Sequence, residues 1–389
     1  MLFSLALILI LGVIASYLFK KINMPSLIGY IFIGIILGPY CLNVLDSSLL
    51  DISSTLRNIA LVIILTRAGL TLKITDLKKI GISAILMSFI PALMEILGFV
   101  LLSRSLLDIS INEALIMGSI IAAISPAVIV PRMIDLINNN YGTLKGIPQL
   151  ILAGSSVDDV VVLVLFTSFL SLENSNSFDI LALIKITLSI ILGIIIGCII
   201  GFIIDKIFRM ININTISQLL VVLSISFILK YAEDYFVFSG LIAIMALSIT
   251  LKYLNTAITD KLQSNYNNLW SVFEIFLFVL VGAMVNISYA FKAGINVILI
   301  IIGSLLFRMI GVFICLLTTK FNKKEKIFCF IAYMPKATVQ AAIGAIPLSI
   351  GLSCGDLALT IAVCSILLSA PVGAYLIDHL YDKLLTHDI

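Results

Sequence analysis

The run Gly154-Ser155-Ser156-Val157-Asp158-Asp159 lies in the middle of a long apolar stretch and carries the densest chemistry in the chain. Two adjacent carboxylates stand ~100° apart around a helix, so they cannot share one face. At least one is expected to point into a cavity, which leaves the other for a neighbouring helix. Ser155 lies four residues before Asp159 and shares its face. A hydroxyl, a carboxylate and nearby unwound carbonyls are oxygen ligands, and these suit a hard cation. The same carboxylate can hold a proton instead. One group that binds either a cation or a proton, but not both, is a sufficient device for exchange. A structural salt bridge to Arg308 or Lys336 would account for one buried acid but not for two side by side.

Three further charges sit at the centres of apolar runs: Glu95, Arg308 and Lys336. Each costs ~2.5–3.5 kcal/mol at mid-bilayer even on the lenient insertion scale, so each needs a partner or a task. Arginine stays protonated under nearly all conditions. Arg308 is therefore expected to be a permanent counter-charge, with Glu95 or Asp158 as its partner. Lys336 follows Met334-Pro335, where a half-helix ends in unpaired carbonyls, and a cation there offsets the dipole. An architectural and a transport role are both open for it. Arg67 and Glu274 lie nearer span ends, where long side chains snorkel or pair, and are read as structural.

The elements that must hold these residues follow from composition. Of 389 residues, 61% are apolar and only 12% charged, against about a quarter charged in soluble domains. The mean hydropathy is +1.22. Cytosolic enzymes, secreted disulfide scaffolds and nucleic-acid binders are thereby excluded. The six cysteines form no CxxC pair and suggest neither a disulfide framework nor a zinc site. Met1–Phe19 is followed, not preceded, by its positive charges, so it reads as a first span rather than a cleaved signal. Runs long enough to cross a ~30 Å core number thirteen: roughly 2–19, 25–42, 54–72, 79–102, 112–136, 147–172, 178–208, 215–231, 235–253, 268–287, 291–319, 325–350 and 357–378. Little chain remains for loops, so no soluble regulatory domain is expected. Sixteen of the 24 Lys and Arg fall in connections after odd-numbered spans or at the C-terminal end, and five in the others. That bias predicts an outside N-terminus and a cytoplasmic C-terminus.

Spans 1–6 and 8–13 form two sets of six around span 7, and the odd offset inverts one set relative to the other. The fifth member of each set is broken by proline, at Ser125-Pro126 with Pro131 and at Met334-Pro335 with Pro347. Proline costs a helix interior about 3 kcal/mol and removes a hydrogen bond. Matching breaks in two inverted halves point to a transporter site at the bilayer midplane. The expected fold is thus an all-α polytopic membrane protein of 13 transmembrane helices, with two inverted six-helix repeats and two broken crossing helices. Gly193, Gly197 and Gly201 keep one face of span 7 small, which suits close helix packing.

The paired aspartates, together with Met334-Pro335-Lys336-Ala337-Thr338-Val339-Gln340-Ala341-Ala342, resemble monovalent cation:proton antiporters. The nearest likeness is to the paired-aspartate branch and its NHA-type sodium/proton antiporters, and it covers essentially the whole chain. The resemblance implies a homodimer in the lipid bilayer whose core moves in an elevator-like manner. By matching order, 79–172 and 291–378 would be the ion-translocating core, 1–72 and 215–287 the dimerisation side, and 178–208 the connecting helix. Asp159 matches the ion- and proton-binding aspartate, and Asp158 its neighbour. Where well-known bacterial relatives carry lysine, this chain has Arg308, with Glu95 available to pair with it. Relatives often show Thr-Asp-Pro at the first break; here it is Ile124-Ser125-Pro126. Ser125 then becomes a candidate ligand, and one counter-charge to Lys336 is missing.

The reading is exchange of Na⁺ or Li⁺ for H⁺ across a prokaryotic plasma membrane, with no cofactor and no nucleic-acid partner. Asp159 is the exchange site, with Ser155 and Asp158 in or beside its ligand shell, and Glu95 and Arg308 form a fixed buried pair. One-for-one electroneutral exchange is expected, because Arg308 removes one proton carrier. An excess of lysine over arginine (18 to 6) suggests an AT-rich, bacterial genome. Potassium/proton exchange is the rival within transport, and a passive channel is another. An intramembrane aspartyl protease is remote, since its two acids face each other across a water, normally from separate helices.

Overall fold

The computed structural model describes residues 1–22, 24–71, 82–174, 180–211, 213–233 and 235–388. The expected span boundaries near residues 72, 79 and 178 lie outside the described residues. All regular structure among the described residues is helical. It comprises α1 (Leu2–Lys21), α2 (Ser26–Leu37), α3 (Ser47–Asp51), α4 (Ser53–Thr71), α5 (Ile82–Leu106), α6 (Ile111–Ala122), α7 (Pro126–Asn138), α8 (Ile147–Asn174) and α9 (Ile180–Met210). There follow α10 (Thr215–Ala232), α11 (Gly240–Leu254), α12 (Thr256–Ala283), α13 (Ile287–Cys315), α14 (Lys323–Ala332), α15 (Thr338–Ile343), α16 (Ile346–Ser349) and α17 (Gly355–Leu384). Nine spans among the described residues are long and apolar enough to cross a bilayer, with α6 and α7 together forming one of them. Segments Ser26–Leu37, Gly240–Leu254 and Thr338–Ser349 are apolar but shorter.

The chain divides into two compact units. One comprises Met1–Ser54, Asp76–Phe169 and Ile275–Ile389, the other Thr55–Thr75 and Leu170–Glu274. In the second unit, α9 lies directly on α11. A Cβ at Gly193 would come within 2.7 Å of the Ser239 carbonyl, one at Gly201 within 2.9 Å of Thr250 Cβ, and one at Gly197 would run into the Ala243 carbonyl. The four-residue glycine stripe therefore serves close helix approach, as its spacing predicts. Arg67 donates to Asn267 Oδ1 at 2.6 Å in this same unit.

In the first unit, the proline breaks take their expected places with one difference. α6 stops at Ala122, the chain is extended through Ala123-Ile124-Ser125, and Pro126 opens α7. Proline is tolerated there because a first-turn N–H has no intrahelical acceptor. Pro131, expected to belong to the break, lies inside continuous α7. α14 ends at Ala332, and α15 begins at Thr338 after a five-residue non-helical stretch. Pro347 opens the short α16. α5 and α13 run antiparallel and close. A Cβ at Gly98 would lie 2.6 Å from the Phe307 ring and one at Gly311 2.8 Å from Pro91 Cα, and Gly303 meets Leu102.

Candidate ion-binding site

Pro91, Glu95, Gly98 and Leu102 fall at i, i+4, i+7 and i+11 of α5, which is one helical face. The glycine contacts with α13 bracket Glu95 on both sides and bring Arg308 opposite it. Arg308 Nη1 donates to Glu95 Oε2 at 2.8 Å, and Nη2 donates to both oxygens of Asp158 at 3.2 Å. Its Nε donates to the Tyr333 carbonyl at 3.0 Å, and Nη1 also donates to the Ala122 carbonyl. The Tyr333 ring lies 5.5 Å from its Cζ. Ala122 ends α6 and Tyr333 caps α14, so one guanidinium meets the negative ends of both half-helices. The choice of partner left open between Glu95 and Asp158 thus resolves to both.

Lys336 was expected to offset the half-helix dipole, but that position belongs to Arg308. Instead Lys336 Nζ donates to Glu95 Oε2 at 2.5 Å, and its backbone N–H donates to Ser369 Oγ at 3.0 Å. Glu95 therefore supplies the counter-charge that the first break lacks. Asp158 is fully engaged, since its Oδ2 also accepts from the Ile124 N–H at 2.9 Å. Glu95, Asp158, Arg308 and Lys336 are all at most 1% exposed, and two positive charges balance two negative.

Asp159 stands apart from this neutral quartet. It is 5% exposed, and its Oδ1 has no hydrogen-bond partner among the described residues. Ser155 Oγ donates to the Leu152 carbonyl at 3.0 Å, which leaves its lone pairs available. Ser125 is buried, its Oγ is likewise unpartnered, and its backbone N–H donates to the Pro335 carbonyl at 2.8 Å. That bond ties the two breaks together. Three participants escape a reading of residue types. Tyr333 sets its hydroxyl against Gly154. Ser369 holds the Lys336 backbone. Gln340 donates to the Ala123 carbonyl at 2.7 Å. Gln340 belongs to the motif quoted above, so its position was conspicuous although its partner was not; Ser369 carries no local signal.

Apolar spanning helices, two linked breaks and a buried charge cluster define a polytopic membrane protein with ionisable groups in its interior. The chain belongs to the sodium/hydrogen exchanger family, whose transmembrane model matches residues 5–381, within the monovalent cation:proton antiporter superfamily. Among curated relatives, sodium/hydrogen exchanger 9B2 of Homo sapiens is 31% identical over 352 residues, covering 86% of this chain and 64% of that protein. Sodium/hydrogen exchanger 9B1 of Mus musculus is 35% identical over 345 residues, covering 86% and 61%. The chain thus spans just under two thirds of the length of these relatives. The solved sodium proton antiporter MjNhaP1 of Methanocaldococcus jannaschii shares the fold, with a TM-score of 0.85 at 24% identity over 98% of this chain and 97% of that one.

The expected prokaryotic plasma membrane is corrected by these relatives. The curated exchangers are animal proteins, so kinship does not support a prokaryotic address. A lysine-for-arginine bias reflects codon supply rather than chemistry and carries no location. What stands is a multi-pass membrane protein.

Proposed function

We propose that the chain exchanges Na⁺ or Li⁺ for H⁺ at Asp159 by alternating access. The carrying observation is the charge balance of the interior. Glu95, Asp158, Arg308 and Lys336 neutralise one another within hydrogen-bond distance, which leaves Asp159 as the uncompensated acid beside them. A buried carboxylate is tolerable only when its charge is matched, and a monovalent cation or a proton matches it equally well. The two occupants are mutually exclusive on one carboxylate, so each turnover trades one for the other. Ser155 and Ser125 contribute hydroxyl oxygens to the cation. Arg308 holds Asp158 and cannot surrender a proton, which makes the exchange one-for-one and electroneutral.

In this reading thirteen spans form two inverted six-helix repeats. Residues 79–172 and 291–378 move as the core, 1–72 and 215–287 join two copies, and 178–208 connects them. The names of the exchanger relatives and the shared antiporter fold support it. In proteoliposomes, Asp159→Asn is expected to abolish sodium-dependent proton movement while the protein remains folded. Exchange that survives this change would overturn the assignment.

A further inference from the structure

Each residue of the first break is held by a different partner. The Ala123 carbonyl accepts from Gln340 Nε2 at 2.7 Å, the Ile124 N–H donates to Asp158 at 2.9 Å, and the Ser125 N–H donates to the Pro335 carbonyl at 2.8 Å. Gln340 Nε2 also reaches the Ile121 carbonyl at 3.4 Å. Carbonyls accept only, so the end of the amide that meets them must be the nitrogen. The other end, Oε1, is buried and without a hydrogen-bond partner among the described residues. Gln340 is 0% exposed. A buried amide oxygen left unsatisfied is destabilising, and native proteins keep few of them. Four other site residues also carry a buried oxygen without a hydrogen-bond partner among the described residues: Glu95 Oε1, Ser125 Oγ, Asp159 Oδ1 and Tyr333 Oη. Asp159 follows Asp158 and Ser125 follows Ile124, the pair joined by the Ile124 N–H bond.

The two transported species make different demands. A proton needs one oxygen, that of the carboxylate. A cation stripped of water needs several, and neutral oxygens must supply those the carboxylate does not.

We propose that Oε1 of Gln340 is a neutral ligand to the cation carried by Asp159. Its Nε2 is pinned to the end of α6, which sets the oxygen in place before the ion arrives. This rests on the reading of Asp159 as the exchange site. Gln340 then governs the affinity for Na⁺ and leaves proton binding alone, whereas a residue that only braced the break would weaken the fold without favouring either ion.

The test uses the purified full chain in detergent and measures the Na⁺ concentration that half-maximally raises its melting temperature, at several pH values. Gln340→Met, similar in size but without the amide, is expected to raise that concentration about tenfold at alkaline pH, with the pH at which protons displace Na⁺ following from the lost Na⁺ affinity alone. An unchanged Na⁺ requirement overturns the proposal, whatever happens to the ion-free melting temperature. Gln340→Glu returns an oxygen but not the N–H that holds Ala123. Na⁺ binding tighter than in the parent at alkaline pH, where the added carboxylate would meet the ion directly, supports the ligand role, and binding at the parent's strength or weaker overturns it. This second variant decides the matter if Gln340→Met does not fold. Asp159→Asn is run beside them: persistent Na⁺ stabilisation there would refute the exchange-site reading itself, independently of Gln340.

Discussion

A guanidinium that donates to two carboxylates and two helix-end carbonyls, as Arg308 does, uses the fixed fork of donors that an ammonium lacks. This explains why arginine, and not Lys336, occupies the meeting point of the half-helices. The residue types were legible in the chain, because five charges at the centres of apolar runs demand partners. Their pairing was not, because Glu95, Asp158 and Arg308 lie on three helices far apart in sequence. Glu95 Oε2 accepts from both cations, so its loss leaves Lys336 without its carboxylate and Arg308 with Asp158 alone, one buried positive charge in excess. Removing one partner of a buried pair typically costs about 3–5 kcal/mol. Glu95→Gln is expected to destabilise the protein on that scale, read as a fall in the melting temperature of the purified protein; an unchanged melting temperature would show that the quartet contributes nothing.

Proline placement announced both broken elements, and Arg308 meets a helix-end carbonyl at each of them. Pro131 did not break its helix, since a single lost hydrogen bond within α7 is tolerable once packing holds the rest. The glycine stripe of α9 packs as its spacing predicts, whereas the bracket of Gly98 and Gly311 around Glu95 and Arg308 leaves no pattern in the sequence, because each glycine lies on a different helix. Outside the spans, residues 385–388 pair with the loop that leads into α8. The Gly142 N–H donates to the Thr386 carbonyl at 2.8 Å, and Asp388 Oδ2 accepts from the Leu144 N–H at 2.7 Å and the Thr143 hydroxyl at 2.9 Å. The Leu144 N–H first, then the hydroxyls of Thr143 and Thr386, hold the Asp388 carboxyl below its ordinary range. A carboxyl with a lowered folded-state value contributes above its unfolded value and loses that contribution as pH falls through the folded one. Hydrogen exchange at the Leu144 amide is therefore expected to be faster in Asp388→Asn than in the parent at neutral pH. The difference should vanish under acid conditions that protonate Asp388; equal exchange at neutral pH would count against the contact.

At the scale of the whole chain, a membrane protein built of apolar helices follows from composition, and the transporter family follows from the paired aspartates and the Pro-Lys-Ala-Thr-Val-Gln run. Charge conservation at the site is a property of the complete cycle. If Asp159 trades one cation for one proton and Arg308 keeps its own, no net charge crosses per turnover. Purified protein on a solid-supported membrane is then expected to give no sustained sodium-driven current while proton movement continues in parallel vesicle assays. A steady current would require a second proton carrier, and Lys336 would be the first residue to substitute.

Hydropathy, proline spacing and the cost of burying charge are local or additive properties, so the chain's order of residues already determined an all-helical membrane fold, two broken helices and five charges that must be reconciled inside it. Which charge meets which depends on helices brought together from distant parts of the chain. Only the tertiary structure therefore decided that four of the charges pair with one another, and that Asp159 Oδ1 and Gln340 Oε1 are left without a partner among the described residues.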